Sequence, residues 1–473
     1  MNHSKIRRLL LCSLLGAFAS TGVISKTHAQ TAPIPDWLPP AIIYSVYPEI
    51  FSEAGNLAGV TAQLPRLQKL GVTVLWIMPV TPVGQPFEGR PAFNSPYCVR
   101  DYYGIDPRYG TGDDLKQLVR AAHRHGIKVI LDAVLNHTAW ENPMLRQHPE
   151  YYKHTDADPK NVASIQQAFT YADVAQLDYN NPELRQYITR MLGWWVSEYD
   201  IDGFRFDAAS NPPSANRMIP ASFWKSLPAT LQKIKPDLLL LGECLDPELA
   251  RAPFSLDYGW NVGDGLKRAA GGESADAVRA AWLRQTDNYP PGMLHLSLQD
   301  TWDAPDRDVR LYGGPSGAMA AAVFNLTING IPLLYNGMEV GNDAGTINPH
   351  QKINWKSPYR QFPAFYRDLI ALRKRYPALQ QGTMTWLPNS APDQVLSYTR
   401  SGGGGEFLIL INLSNRPVKG SMSASVGAGW FEVTPSGSPG GRKHTYSPEF
   451  SLLPHDFAIL RRVLPSKSTS RRK

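Results

Sequence analysis

Cysteine is scarce in this sequence. Only three cysteines occur among 473 residues, and the first, Cys12, falls in a segment that we expect to be removed from the mature protein. The remaining two, Cys98 and Cys244, are too few for a disulfide scaffold and lack the spacing of a zinc site. They could pair in an oxidising compartment, but we expect two separate buried thiols.

Charge is limited as well. Charged residues make up 19% of the chain and hydrophobic residues 43%, which is the balance of a folded globular protein. Much of the net charge of +7 comes from the two ends of the chain, which carry Lys5, Arg7, Arg8, Lys467, Arg471, Arg472 and Lys473. The body has no basic stripe with interleaved aromatic residues, so we exclude a nucleic-acid partner.

Long apolar runs are absent beyond the N-terminus, so we expect no membrane span. The first 29 residues have the pattern of a signal peptide, in which basic residues precede the apolar stretch Leu9–Ala19. The small-x-small sequence Thr27-His28-Ala29 then offers a cleavage site before Gln30. We therefore expect export, and the sequence leaves the choice between periplasm and medium open.

Short apolar runs recur between about residues 41 and 376, and segments with helical periodicity separate them. Continuous apolar runs are typical of parallel strands that are covered on both faces. Eight such units predict a (β/α)8 barrel over residues 30–376, with a doubly wound open sheet as the alternative. The predicted strands are Ile42–Tyr47, Val72–Met78, Lys128–Val134, Gly203–Asp207, Leu238–Gly242, Phe254–Tyr258, Met293–Leu298 and Ile331–Tyr335.

Two segments depart from this alternation. Residues 138–175 are polar and irregular, and we interpret them as a subdomain inserted after the third strand. Residues 380–464 contain four strand-like runs with glycine-rich turns, which predict a C-terminal β-sandwich domain, and residues 465–473 form a basic tail.

Polar side chains collect where the predicted barrel strands end, which is where barrel enzymes carry out their chemistry. Arg205 and Asp207 are two residues apart on a strand and therefore share a face. The guanidinium is expected to lower the pKa of Asp207, whereas the apolar run before Glu243 is expected to raise the pKa of that residue. Such a pair suits glycoside cleavage, and Asp300 would add negative charge near a cationic transition state. Alone, the pair Arg205 and Asp207 could equally be a structural ion pair, and a glutamate at a strand end, such as Glu243, is more often a solvated group than a catalytic one.

The motifs around these residues resemble those of the α-amylase superfamily of glycoside hydrolases. Leu131-Asp-Ala-Val-Leu-Asn-His137 is similar to the first signature of that family, and Asp202-Gly-Phe-Arg-Phe-Asp-Ala208 is similar to the second. Leu241-Gly-Glu243 and Leu298-Gln-Asp300 are similar to the third and fourth. The resemblance extends over roughly residues 41–463.

The resemblance implies a role for each matching residue. Asp207 would be the nucleophile, Glu243 the general acid/base, and Asp300 the group that holds sugar hydroxyls. Arg205 would orient Asp207, and Asp132 and Asn136 would support the site. Substrate would be contacted by His137, Tyr97 and Gln299.

Several positions depart from the family pattern. Gln299 stands where the fourth signature has histidine, and Ser210-Asn211 stands where α-amylases have lysine and histidine. Gln176 stands where an aspartate often binds calcium. Because calcium prefers carboxylate ligands, we do not expect a structural calcium here, and no other cofactor is predicted.

The resemblance implies a retaining enzyme that hydrolyses α-1,4-glucosidic bonds in starch-like glucans or malto-oligosaccharides through a covalent intermediate. An α-glucosidase or a transglycosylase acting on other α-glucosides is the first alternative. A non-catalytic carbohydrate-binding relative is a remote one, since all three carboxylates are present. The sequence leaves linkage preference, chain-length preference and oligomeric state open.

Overall fold

The computed structural model describes residues 34–210, 219–250, 253–304, 306–343, 351–356, 358–422, 429–433, 435 and 448–463. The predicted signal peptide, Asn211 and the basic tail lie outside these residues. No helix within these ranges is long and apolar enough to cross a bilayer.

The β-strands of the described ranges are numbered in chain order. They are β1 (Ile43–Val46), β2 (Val74–Ile77), β3 (Lys128–Ala133), β4 (His137–Ala139), β5 (Val174–Gln176), β6 (Gly203–Phe206), β7 (Leu239–Gly242), β8 (Leu256–Tyr258), β9 (Leu294–Ser297), β10 (Ile331–Tyr335), β11 (Thr383–Trp386), β12 (Val395–Gly402), β13 (Gly405–Asn412), β14 (Val418–Ser421), β15 (Phe431–Glu432), β16 (Glu449–Leu452) and β17 (Phe457–Val463).

The α-helices are α1 (Pro48–Phe51), α2 (Leu57–Leu70), α3 (Gly112–Arg124), α4 (Pro143–Gln147), α5 (Pro182–Tyr199), α6 (Ala221–Leu231), α7 (Trp260–Ala270), α8 (Asp276–Asn288), α9 (Asp308–Leu311), α10 (Pro315–Thr327), α11 (Phe362–Arg375) and α12 (Pro377–Gln380). Short 3-10 helices cover Pro149–Tyr151, Val162–Ser164 and Met338–Val340.

Eight of the strands close into a parallel barrel, in the order β1-β2-β3-β6-β7-β8-β9-β10 and back to β1. Each of the eight predicted apolar runs contains one of these strands, and the predicted barrel is confirmed over the open-sheet alternative. The observed strands are mostly shorter than the runs, because apolar residues continue past the last ladder hydrogen bond.

The strand register decides which side chains point into the barrel. Ile130 lies opposite Gly203, and Asp132 lies opposite Arg205. Because side chains alternate along a strand, Asp132 and Arg205 share the inward face, and Asp207 follows on that same face just beyond the strand. A Cβ atom at Gly203 would lie 2.2 Å from the carbonyl oxygen of Leu239, so glycine allows β6 to approach β7 closely.

The inserted segment is enclosed by a short antiparallel ribbon. Strand β4 pairs with β5, with His137 opposite Gln176 and Ala139 opposite Val174. This ribbon brings the two ends of the insertion together beside the open end of the barrel.

The C-terminal strands form two layers. One is a five-stranded antiparallel sheet in the order β11-β12-β13-β17-β15, and the other is the pair β14-β16. Trp430 and Phe450 pack with Leu410 and Leu460 in the core between these layers. The predicted β-sandwich is therefore present, although three of its strands, β11, β14 and β16, were not predicted.

Candidate active site

A cavity of about 840 Å³ opens at the carboxyl ends of the barrel strands. Asp207 and Glu243 both line it, one following β6 and the other following β7. The volume is in the usual range for a small-molecule site. The described walls are otherwise rich in aromatic rings, contributed by Phe93, Tyr97, Phe169, Tyr171, Trp260 and Trp302.

Arg205 connects the carboxyl groups at the base of this cavity. Its Nη1 atom lies 2.8 Å from Asp132 Oδ1 and 3.0 Å from Asp207 Oδ1, and its Nη2 atom lies 2.6 Å from Glu243 Oε2. The Nε–H group donates to the hydroxyl of Tyr258 at 3.1 Å. Only 2% of the Arg205 side chain is exposed, so solvent screens these ion pairs little.

The backbone at Ala208 adds a second donor to Glu243. Its N–H group donates to Glu243 Oε2 at 2.6 Å. Ala208 has a φ of 40°, which lies in the left-handed region that residues other than glycine rarely adopt. The strained turn directly after Asp207 therefore fixes the position of the Glu243 carboxyl group.

Burial separates the pKa values of the two facing acids. Burial raises the pKa of Asp207 to about 6, although Arg205 acts to lower it. Burial likewise raises the pKa of Glu243 to about 8, again against the effect of Arg205, and the charge of Asp207 raises it further. The prediction that Arg205 gives Asp207 a lowered pKa was wrong, because burial outweighs the guanidinium. The order of the two acids is still the one that glycoside cleavage needs.

Asp132 and Tyr97 lie beside this pair. The Tyr97 hydroxyl donates to Asp132 Oδ2 at 3.2 Å, and the indole N–H of Trp76 donates to the same oxygen at 3.3 Å. Asp132 is thus held by three donors, including Arg205, as a supporting residue would be. The ring of Tyr97 lines the cavity.

His137 lines the cavity as a neutral imidazole. Its Nε2 atom lies 3.0 Å from the carbonyl oxygen of Tyr97, which only accepts hydrogen bonds, so Nε2 carries the proton. The Nδ1 atom is buried without a hydrogen-bond partner among the described residues. Burial lowers the pKa of His137 to about 4, so the ring is uncharged near neutral pH.

Asp300 and Asp303 occupy different places. Asp300 is 1% exposed, accepts from the backbone N–H of Asp308 at 3.2 Å and lies 3.4 Å from Arg307 Nη1. It does not line the cavity, whereas Asp303 does. The negative charge of Asp303 raises the pKa of both Asp207 and Glu243. The role predicted for Asp300 remains a prediction, and Asp303 is the acid from this segment that faces the pair.

Gln299 lies away from the cavity, contrary to its predicted contact with substrate. Its side chain is fully buried, and Nε2 donates to the Ala318 carbonyl at 2.9 Å and to Asp308 Oδ2 at 3.3 Å. The physical reason is alternation along the chain: Leu298 packs in the apolar cluster inside the barrel, and the next side chain, Gln299, turns outward toward Ala318 of helix α10.

At the position of the family's calcium site stand two amide side chains, Asn136 and Gln176, and Asn136 Oδ1 is buried without a hydrogen-bond partner among the described residues. Gln176 Nε2 donates to the carbonyl oxygens of Asn136 and Leu177, at 2.9 and 3.1 Å. Asn136 Nδ2 donates to the carbonyl of Asp207 at 2.8 Å. Amide donors therefore engage oxygens that could have bound a cation. The described ranges contain no group of three or more histidine, cysteine or acidic side chains arranged to hold a metal.

Sequence reasoning missed several residues that line the cavity. Trp302 and Asp303 follow Asp300 closely, so the fourth signature pointed to their segment but not to them. Phe93 and Tyr171 lie in irregular loops where no periodicity indicates which side chains face inward. Ser210 lines the cavity, and its hydroxyl donates to Asp246 Oδ2 at 3.3 Å. Asn211, the second residue that departs from the lysine and histidine of α-amylases, lies outside the described residues.

Comparisons with known proteins agree with this geometry. A family model described as the alpha amylase catalytic domain matches residues 45–254. A cyclomaltodextrinase from Geobacillus thermopakistaniensis is 28% identical over 446 residues, which span 84% of this chain and 73% of the relative. A maltogenic alpha-amylase from Bacillus acidopullulyticus is 26% identical, over 82% of this chain and 72% of the relative.

Solved structures extend the likeness to the whole fold. A noncanonic maltogenic alpha-amylase from Thermotoga neapolitana has a TM-score of 0.76 at 26% identity, covering 90% of this chain and 100% of that one. An alpha-amylase from Lactobacillus plantarum has a TM-score of 0.76 at 25% identity, covering 90% and 99%. The barrel, the paired carboxyl groups and these relatives together support the α-amylase superfamily of glycoside hydrolases as the family of this chain, and the chain is an enzyme.

Proposed function

We propose that this enzyme hydrolyses α-1,4-glucosidic bonds in malto-oligosaccharides or starch-like glucans, with retention of configuration at the anomeric carbon. The observation that carries the proposal is the pairing of Asp207 and Glu243. Both carboxyl groups contact the guanidinium of Arg205 at the base of one cavity, and their pKa values are separated in the required order.

In the first step, ionised Asp207 attacks the anomeric carbon and the bond from that carbon to the glycosidic oxygen breaks. Glu243, whose raised pKa keeps it protonated, gives its proton to the departing oxygen. The products are a glycosyl ester on Asp207, a shortened glucan with a free hydroxyl, and an ionised Glu243.

In the second step, Glu243 takes a proton from water and the water oxygen attacks the anomeric carbon. The ester bond to Asp207 breaks, which restores both carboxyl groups and releases a sugar with the original α configuration. If a sugar hydroxyl replaces water in this step, the outcome is transglycosylation. The same residues serve both reactions, so only product analysis separates them.

The charge of the cavity favours a neutral substrate. Asp173, Asp207 and Asp303 line it beside the protonated Glu243, and its described lining includes no lysine or arginine. A phosphorylated or uronic sugar would meet like charge there, which is unfavourable in a poorly screened site. Relatives named cyclomaltodextrinase and maltogenic alpha-amylase support an α-1,4-linked glucan as the neutral substrate.

The test is a substrate panel of maltoheptaose, a cyclomaltodextrin, pullulan, sucrose and trehalose, with Asp207→Asn as the control. We expect hydrolysis of maltoheptaose and the cyclomaltodextrin, and no turnover by the variant. Product lengths separate endo from exo action, and products longer than the substrate would reveal transfer. Exclusive cleavage of sucrose or trehalose would refute the proposed substrate class.

We also propose that the protein is exported, on the strength of the N-terminal pattern alone. Expression of the full chain in a bacterial host, followed by mass spectrometry of the exported protein, should give a mature N-terminus at Gln30. Recovery of the uncleaved chain from the cytoplasm alone would contradict this proposal.

A further inference from the structure

Two aromatic side chains on the cavity wall are unusually exposed. Phe93 and Tyr171 are each 58% exposed, more than any other large hydrophobic side chain in the described part of the chain. Both line the cavity that contains Asp207 and Glu243. Exposed apolar surface that adjoins a cleft is a common mark of a binding site.

The two rings come from different segments that are tied together. Phe93 lies in the loop between β2 and α3, and Tyr171 lies in the insertion between β4 and β5. The backbone N–H of Phe93 donates to the Asp173 carboxylate, and the Cys98 thiol lies 3.3 Å from the Asp173 carbonyl oxygen. These contacts hold the two segments side by side in one wall of the cavity.

The backbone is left-handed near each ring. Phe169, two residues before Tyr171, has a φ of 52°, which a bulky residue seldom adopts, and Asn94, next to Phe93, has a φ of 53°, which asparagine adopts more readily. Strain of this kind is concentrated at ligand-binding sites, where the surrounding contacts maintain it.

The rings also extend outward from the reaction centre. The Phe169 ring centroid lies 6.2 Å from that of His137 and 6.0 Å from that of Tyr171, so three rings lead from the cavity lining to the rim. A ligand that contacts Tyr171 is thus displaced from the Asp207 and Glu243 pair along the wall.

We propose that Phe93 and Tyr171 form a rim platform that binds a glucosyl unit of the substrate away from the bond that is cleaved. The apolar faces of a pyranose ring match aromatic surfaces, and each of the two rings exposes such a surface in the cavity wall. The platform rests on the proposed function, because its ligand is a neutral α-glucan chain. It makes the enzyme prefer longer oligosaccharides over short ones.

The direct test is binding, measured by calorimetry in the Asp207→Asn background so that no turnover interferes. Adding Phe93→Ala or Tyr171→Ala should weaken maltoheptaose binding about five- to tenfold each, with much less effect on maltose. Phe431→Ala is the matched control, because Phe431 is an aromatic residue of the C-terminal domain that is 46% exposed. Tyr171→Phe, which keeps the ring, should bind maltoheptaose as the parent does.

Each contrary outcome is informative. Unchanged maltoheptaose binding in both alanine variants, with melting temperatures equal to the parent's, would overturn the platform. Equal weakening for maltose and maltoheptaose would also overturn it, because the rings would then act at the reaction centre. Binding without turnover in the parent enzyme would refute the proposed hydrolysis and leave the platform standing.

Discussion

The Nη2 atom of Arg205 lies 2.6 Å from the Oε2 atom of Glu243. The other terminal nitrogen of the same guanidinium contacts both Asp132 and Asp207. One buried positive charge is therefore shared among three largely buried carboxyl groups, and it does not offset the cost of ionising all of them. Burial raises the pKa of both facing acids, and the charge of Asp207 raises that of Glu243 further, so Glu243 keeps its proton to a higher pH than Asp207 does.

This arrangement predicts a bell-shaped dependence of kcat/KM on pH. Activity should rise as Asp207 loses its proton, with a pKa of about 6, and fall as Glu243 loses its proton, with a pKa of about 8. Initial rates on maltoheptaose between about pH 4 and pH 10 measure both limbs. Activity that stays flat up to pH 10 would contradict Glu243 as the proton donor.

Neutralising Glu243 should stabilise the folded protein at alkaline pH. Its folded pKa of about 8 exceeds the ordinary value of 4.5, so the stabilising effect of its protonated form is lost as pH rises through about 8. Glu243→Gln removes the buried charge and should gain on the order of 1 kcal/mol at about pH 9. The gain should be smaller at about pH 5. Thermal melts at the two pH values check this, and an equal gain at both would contradict it.

The same variant should be nearly inactive, because the amide of glutamine cannot act as a general acid. We expect a loss of about 10²–10⁴ in kcat on maltoheptaose, the usual contribution of general acid catalysis. If the variant is more stable than the parent at alkaline pH and yet inactive, Glu243 is required for catalysis at a cost in folding stability. Retained activity would assign the proton donor elsewhere.

Asp300 and Asp303 should respond differently to the same substitution. Asp303→Asn should lower kcat/KM about tenfold or more and shift both pH limbs downward, because its charge raises the pKa of Asp207 and Glu243. Asp300→Asn should mainly lower the melting temperature, since Asp300 holds Arg307 and the backbone of Asp308.

Thermal melts and kinetics on both variants separate the two acids. If Asp300→Asn melts like the parent and loses activity while Asp303→Asn keeps it, the role implied by the family resemblance stays with Asp300. A loss of activity in Asp303→Asn at an unchanged melting temperature would place the third carboxylate at Asp303.

Gln299→His should affect stability and leave substrate preference alone. The sequence predicts the opposite, because the family has histidine at a substrate-contacting position. In the structure Gln299 is enclosed by Ala318, Asp308 and Tyr366, where a differently shaped ring costs about 1–3 kcal/mol. Melting curves together with the ratio of kcat/KM for maltose and maltoheptaose test this. A changed ratio with an unchanged melting temperature would contradict it.

Much of the barrel was predictable from the sequence, because its strands are continuous apolar runs and exposed helices and strands do not show that pattern. The same is true of Arg205 and Asp207, whose two-residue spacing on a strand requires a shared face. Strands β11 and β16 were missed because they are short, and they alternate in exposure within turn-rich sequence.

Side-chain direction after a strand end was harder to predict. Alternation places Asp207 correctly, one residue past β6, but it gives no guidance for Trp302 and Asp303 in an irregular segment. The pKa of Asp207 was misjudged for a related reason. The sequence shows the neighbouring arginine, but it does not show that three carboxyl groups share that arginine in a buried site.

Cleavage of α-glucosidic bonds by Asp207 and Glu243 with retention is tested most directly by proton NMR. Maltoheptaose is followed during the first moments of hydrolysis, with Asp207→Asn as the control. We predict that the α anomer of the new reducing end appears first and then mutarotates, and that the variant releases none. Initial release of the β anomer, or α-anomer release by a folded Asp207→Asn protein at near-normal rate, would contradict retention by this pair.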